Sequence, residues 1–290
     1  MADFFGNKKY INQKKDFDVN HLPSTRRQLF KKVFISRFGK LFQVNILCFA
    51  FLLPYICWDL LTNIYKSSLT TLTSLTQFVI YIKSPLVILF TMLGFIGLSG
   101  TIYYIRRLSW SEPVYLFKTF YHGIKQSYKQ FLIFGFFTSL FICLFDLAIT
   151  MIQNTNLDLI YAIISISGLT ISAILFLSIL SYALTLSSLY EMRISTIIKT
   201  SVVLTLRKMF KNLVFELLTY VLILIWFLSG IIYFYFIGIV IIAIIGISYS
   251  ILVWVLFTNS SYDLYINLKQ YPNIYRKGLK PLTKEGVIDA

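Results

Sequence analysis

Apolar positions run through this chain in stretches too long for a soluble core. Six stand out, at roughly Leu41–Thr62, Ser84–Ile105, Phe131–Ile152, Leu159–Leu186, Leu213–Ile232 and Phe234–Phe257. A helix needs about 20 mostly apolar residues to cross roughly 30 Å of hydrocarbon, and within one such run only a helix pairs every backbone N–H and C=O internally. The last two runs are nearly continuous. As a single helix they would extend roughly 65–70 Å at about 1.5 Å per residue, about twice the bilayer core, so the pattern predicts a hairpin turning near Gly230–Gly238.

Basic amphipathic stretches precede each pair of runs, at about residues 25–40, 112–130 and 195–212. The first interleaves Leu29, Phe30, Val33, Phe34 and Phe38 with Arg and Lys, and Thr25 and Gln28 stand at capping-box spacing. The second carries Val114, Phe117, Tyr121, Ile124 and Tyr128 at helical spacing, with Ser111 as its expected cap and Pro113 suited to a first turn. The third carries Ile198, Val202, Met209 and Phe210. Such helices lie in the membrane plane, apolar face toward the acyl chains and cations among the head groups. Three local matches, Leu29-Phe30-Lys31, Leu116-Phe117-Lys118 and Ile197-Ile198-Lys199, support a threefold internal repeat. The expected fold is therefore an all-α membrane protein: six transmembrane helices as three hairpins, each preceded by a basic amphipathic interfacial helix. Residues 1–24 form an N-terminal arm, 25–258 the transmembrane domain and 259–290 a C-terminal tail.

Composition agrees. Charged residues make up 13% of the 290, against about 25% in a soluble domain, and the mean hydropathy is +0.74. Basic residues are distributed unevenly. Of 27 Lys and Arg, all but Lys66 and Lys83 lie in the N-terminal segment through Lys40, the second and fourth connections, or the tail. The positive-inside rule then predicts that both termini are cytoplasmic. The net charge of +15 sits in loops flanking apolar spans, which fits anionic lipid head groups rather than nucleic acid. The first forty residues show no apolar signal-peptide core, so the first span reads as a retained signal anchor. Heavy use of Ile, Phe, Lys and Asn points to a low-GC bacterium, and the expected location is the bacterial plasma membrane.

Few side chains offer chemistry. Cys48, Cys57 and Cys143 all fall inside spans and read as apolar packing residues. His21 and His122 lie in cytoplasmic segments. No nucleophile, metal or phosphate-binding motif is present, so no enzymatic activity, catalytic residue, cofactor or metal is expected. The in-membrane polar candidates are Asp59, Asp146, Asn45 and Glu216. An acid at the bilayer centre costs about 2.5–3.5 kcal/mol. The thirteen Phe, Leu and Ile between Phe131 and Ile149 supply about −4 to −8 kcal/mol on the same scale, so Asp146 needs no partner for insertion. Asp59 and Asp146 share the outer half of the membrane and are candidates to line one cavity. Arg26, Arg27, Arg106, Arg107, Arg207 and Lys208 form a candidate cytoplasmic interface. Gly94, Gly97 and Gly100, with the pairs Gly168–Ser172 and Gly246–Ser250, are candidate close helix contacts.

The segment Pro23-Ser-Thr-Arg-Arg-Gln-Leu-Phe-Lys-Lys-Val-Phe, running on through Asn45 to Pro54, resembles the YesL-like family of Gram-positive membrane proteins. Arg27, Asn45 and Pro54 match its pattern, as do Gly97, Gly100, Tyr104, Arg106 and Arg107 in the second span. The closing segment Gln270–Leu279 is similar too, whereas Trp58-Asp59 departs from the family's small residues. The resemblance implies a non-enzymatic accessory or partner-binding component of carbohydrate uptake, with sugar ABC transporter permease subunits as partners. The alternative is a small-molecule transporter in its own right, using Asp59 and Asp146.

Overall fold

The structure, a computed structural model, describes residues 22–66, 68–69, 71–155, 158–228 and 232–280, and of 220–228 and 232–236 the backbone alone. All regular structure among the described residues is helical. Helix α1 is Arg26–Ser36 and α2 is Phe38–Lys66. Helix α3 spans Leu72–Ser109 with a π-helical segment at Phe78–Lys83. Helix α4 is Leu116–Asn154, α5 is Leu159–Leu189, α6 is Ile194–Arg207 and α7 is Met209–Leu228. Helix α8 runs from Ile232–Ile241 through a π segment at Ile242–Gly246, then Ile247–Tyr262, a second π segment at Asp263–Asn267 and Leu268–Gln270.

Five of these helices are long and apolar enough to cross a membrane: α2, α3, α4, α5 and α8. The sixth expected span, Leu213–Ile232, coincides with α7 up to Leu228, and its remainder enters residues outside those described. Part of the expected turn at Gly230–Gly238 also lies outside them, and Gly238 itself is helical.

The interfacial stretches do not behave alike. Thr25 caps α1 as expected, its hydroxyl accepting from the Gln28 N–H at 3.3 Å, while the Gln28 side chain turns to the Ser24 N–H instead of closing a full capping box. The second stretch is not a separate helix. It forms the first turns of the 39-residue α4 and continues into the membrane run. Ser111 does not cap it. With φ at 58°, Ser111 ends α3 in a Schellman motif: its N–H donates to the Leu108 carbonyl and that of Glu112 to the Arg107 carbonyl.

The first and third stretches share one geometry. Helix α1 breaks at Arg37 (φ −123°, ψ 24°) and α6 at Lys208 (φ −122°, ψ 26°), and each N–H donates to the carbonyl four residues back. A long helix starts at the next residue in both cases. Counted from the break, the buried positions agree: Val33 with Leu204, Leu41 with Asn212, Asn45 with Glu216, Cys48 with Thr219. The sequence triplets do not keep this register, since Lys31 stands six residues before its break and Lys199 nine. The repeated feature is therefore the broken helix, not the triplet.

Two further boundaries move. Helix α8 stays helical to Gln270, twelve residues past the expected tail boundary at 258. Residues 271–280 fold back onto the start of the described chain: the Lys280 N–H donates to the Pro23 carbonyl at 3.0 Å, and the Arg276 guanidinium to the Ser24 carbonyl at 3.2 Å. Pro23 and Lys280 thus lie at the same end of the bundle.

Close packing centres on α2, α3 and α4. A Cβ on Gly97 would fall 2.6 Å from Phe51 Cβ, one on Gly94 2.6 Å from Leu52 Cδ2, and one on Gly100 2.8 Å from the Phe120 carbonyl oxygen. Gly123, on α4, faces Gly100 and Tyr103 across the same seam. A Cβ on Gly168 would meet open space, and the atoms nearest one on Gly246 belong to Ile241 and Ile242 of its own helix. Cys57 is exposed and Cys143 half-buried, so only Cys48 is a fully buried packing residue.

Candidate in-membrane charge cluster and cationic end

Asp59 and Asp146 do meet, but around a lysine. The Lys83 ammonium lies 3.1 Å from Asp59 Oδ1 and 2.9 Å from Asp146 Oδ2, and donates to Asn63 Oδ1 at 3.1 Å. Lys66 donates to Asp146 Oδ1 at 3.0 Å and to Thr150 Oγ1 at 2.6 Å. The four charges come from the end of α2, the π segment of α3 and the last turns of α4, and they sum to zero. Asp146 therefore does not enter the membrane unpartnered. Insertion energy permits a lone acid, yet an acid held beside two ammonium groups is far cheaper than one facing hydrocarbon.

The π segment places Lys83. Its widened turn brings the Ser84 hydroxyl onto the Val79 carbonyl at 2.6 Å, and Trp58 Nε1 donates to the Lys83 carbonyl at 3.2 Å. The Trp58-Asp59 pair thus holds Lys83 twice, by backbone and by side chain. A signal for the cluster was present in the sequence: Lys66 and Lys83 are the only Lys or Arg in the odd-numbered connections between the expected spans.

Asn45 performs a different task. Fully buried on α2, its amide donates to the Ile242 and Ala243 carbonyls at 2.8 and 2.7 Å, and its oxygen accepts from the Ser248 N–H at 2.8 Å. A π turn interrupts the i→i−4 ladder and leaves backbone groups without helical partners. Asn45 supplies partners for three groups around Ile242–Gly246 and so fills a backbone gap in the π turn. Glu216, its counterpart on α7, accepts from the Ser178 hydroxyl of α5. Glu216 lies well apart in the fold from the Lys83 cluster, which joins α2, α3 and α4 only.

The opposite end carries the cations expected to form an interface, and the structure divides them. Arg106 is buried: it donates to the Ser188 carbonyl in the last turn of α5 and lies 4.8 Å from the Tyr103 ring centroid and 5.1 Å from that of Trp110. It caps a helix C-terminus and offers no free charge. Arg107 pairs with Glu112 at 2.6 Å, and Lys277 from the closing segment reaches the other Glu112 oxygen at 2.7 Å. Burial alone would raise the Glu112 carboxyl, but hydrogen bonds from Lys277 and Arg107 outweigh it and hold it below the ordinary carboxylate range. Arg26 pairs with Asp263, which also accepts from Asn267 Nδ2 at 2.8 Å and from the Arg276 N–H at 3.2 Å. Arg207 and Lys208 lie 5.3 and 5.4 Å from the Tyr265 ring. Arg27 is exposed. Of the six, Arg27, Arg207 and Lys208 remain on the surface or half-buried with no acidic partner among the described residues.

Behind these cations lies a tyrosine network. The Tyr262 hydroxyl donates to the Tyr182 carbonyl at 2.9 Å, and the Tyr182 hydroxyl to Asn212 Oδ1 at 3.0 Å. Tyr190 donates to Asn267 Oδ1. Burial holds the Tyr190 phenol well above its usual range. These bonds tie α5, α7 and α8 together at the cationic end.

Among the described residues no cluster of His, Cys, Asp and Glu is arranged to hold a metal. Five long apolar helices, three of them (α2, α3 and α4) joined by glycine seams, define an all-helical multi-pass membrane protein. Comparison with protein-family models, with curated proteins and with solved structures finds no match for the chain.

Proposed function

We propose that this is a non-enzymatic, partner-binding protein of the bacterial plasma membrane, with six spans and both termini in the cytoplasm. Contact between Pro23 and Lys280 supports an even number of crossings, and α7, at 20 residues or about 30 Å, is long enough to be the sixth. The cation surplus at that end supports its cytoplasmic placement. The YesL-like resemblance directs the choice of partner to the permease subunits of a carbohydrate ABC transporter.

The observation that carries the partner-binding reading is the first half of α5. Tyr161, Ile163, Ile164, Ile166, Ser167, Gly168, Thr170, Ile171 and Ser172 are all exposed, and no residue of this stretch is fully buried. Close packing begins only near Ser178. Ala162, Ser165, Leu169 and Ala173 form a single half-buried stripe at helical spacing, and the rest of this half of the helix is uncovered, presenting Gly168 and Ser172 at the spacing that lets a second transmembrane helix approach closely. The transporter reading relied on Asp59 and Asp146, and both are already held by Lys83 and Lys66.

Photo-crosslinking from Ile164, exposed one turn before Gly168, in native membranes tests the proposal. A discrete crosslinked membrane protein is expected, lost on Gly168→Leu without a change in thermal stability. Crosslinks to lipid alone would overturn it.

A further inference from the structure

A cavity of about 610 Å³ opens between α1, α7 and α8, within the range of small-molecule sites. Its two ends differ in chemistry. Arg26, Arg27, Lys208 and Lys211 surround one end, and no acidic residue is among the described lining residues. Asp263 offsets Arg26, so three cations are left in surplus. Helix α1 begins here and its N-terminus adds partial positive charge, whereas the α7 N-terminus is offset by the C-terminus of α6, which ends at the same break. Burial and the neighbouring Lys211 pull the Lys208 ammonium below its ordinary range, as expected of a cation lacking an anion. The other end is apolar: Phe215 stacks on Phe257 with ring centroids 3.9 Å apart, beside Val253 and Leu256. Leu218, 51% exposed, continues this wall to the outer surface of the bundle.

We propose that the cavity seats one anionic phospholipid, its phosphate among Arg27, Lys208 and Lys211 and an acyl chain along Phe215, Leu218 and Phe257. The argument is complementarity of charge and polarity. A soluble anion would leave the apolar wall unused, and a zwitterionic lipid would leave the cation surplus uncompensated. The site depends on the membrane class of the protein and not on the partner-binding reading.

Native mass spectrometry of the full chain in detergent, titrated with phosphatidylglycerol, phosphatidylcholine or inorganic phosphate, tests it. One phosphatidylglycerol is expected to bind at least tenfold more tightly than phosphatidylcholine. Two head-group charges removed in R27Q/K211Q, both exposed positions, are expected to weaken phosphatidylglycerol about thirtyfold. Leu218→Trp, which fills the groove from its exposed rim, is expected to weaken it with the cations intact. Equal binding of both lipids, or unchanged affinity in either variant, would overturn the proposal. Equally tight binding of inorganic phosphate would reduce the cavity to an anion site and overturn the lipid assignment.

Discussion

At the Lys83 end two lysines meet two aspartates, every ion pair within 3.1 Å, and the charges cancel. At the Arg106 end charge is sorted instead. Arg106 is spent on a helix terminus, Arg26 and Arg107 are paired with Asp263 and Glu112, and Arg27, Arg207, Lys208 and Lys211 are left with no ion pair among the described residues. The same residue types therefore do opposite work. Where a charge is surrounded by apolar helices it must be neutralised within the protein; where it can reach head groups, a surplus is tolerated and useful.

Removing Lys83 should break the first end most severely. Lys83→Met deprives Asp59 of its ion pair and Asp146 of one of two, with an expected loss of about 3 kcal/mol, read as a lowered midpoint in detergent thermal unfolding. Adding Asp59→Asn should restore part of it; no restoration would show that Lys83 acts by packing alone. The second end should respond less. Asp263→Asn removes the Arg26 pair and weakens the Arg276 contact, costing about 1–3 kcal/mol. The expected sign is faster proteolysis within residues 271–280, and an unchanged cleavage rate would contradict the clamp.

Acid should then separate the two clamps at that end. The folded Glu112 carboxyl is held below its unfolded value of about 4.3, so its contribution is full above that pH and is lost as pH falls through the lower folded value. Wild type is expected to lose more stability than Glu112→Gln between about pH 5 and pH 3; parallel curves would sink the assignment. Lys66→Gln should have the smallest effect, within about 1 kcal/mol, because Lys83 still neutralises Asp146 and the glutamine can reach Thr150. A loss as large as that of Lys83→Met would mean that the cluster is organised around Lys66.

The polar residues that stood out in the apolar runs were the right ones to single out, and their roles were not readable. Asn45 and Glu216 look like isolated oddities in sequence, yet they occupy equivalent positions after equivalent helix breaks. Asn45 faces a π segment nearly 200 residues further along the chain, and nothing local to either segment announces that pairing. Trp58-Asp59 stood out as a departure from the resembled family, and the structure gives it a task in gripping Lys83. Arg106 looked like an interface cation because it ends a span, but burial beneath Trp110 and against Ser188 is a matter of how α3 meets α5.

Hydropathy alone determined the membrane class and located the long helices, because a run of some 20 apolar side chains has no other stable setting whatever its neighbours are. Glycine spacing likewise marked the α3 seam, since only a missing Cβ allows such an approach. What tertiary structure decided was every pairing between runs: which lysine neutralises which aspartate, which amide fills which backbone gap, and that the second amphipathic stretch joins its span while the other two break away. Those outcomes depend on distances between segments far apart in the chain, and a one-dimensional pattern of apolar and polar residues carries no such distances.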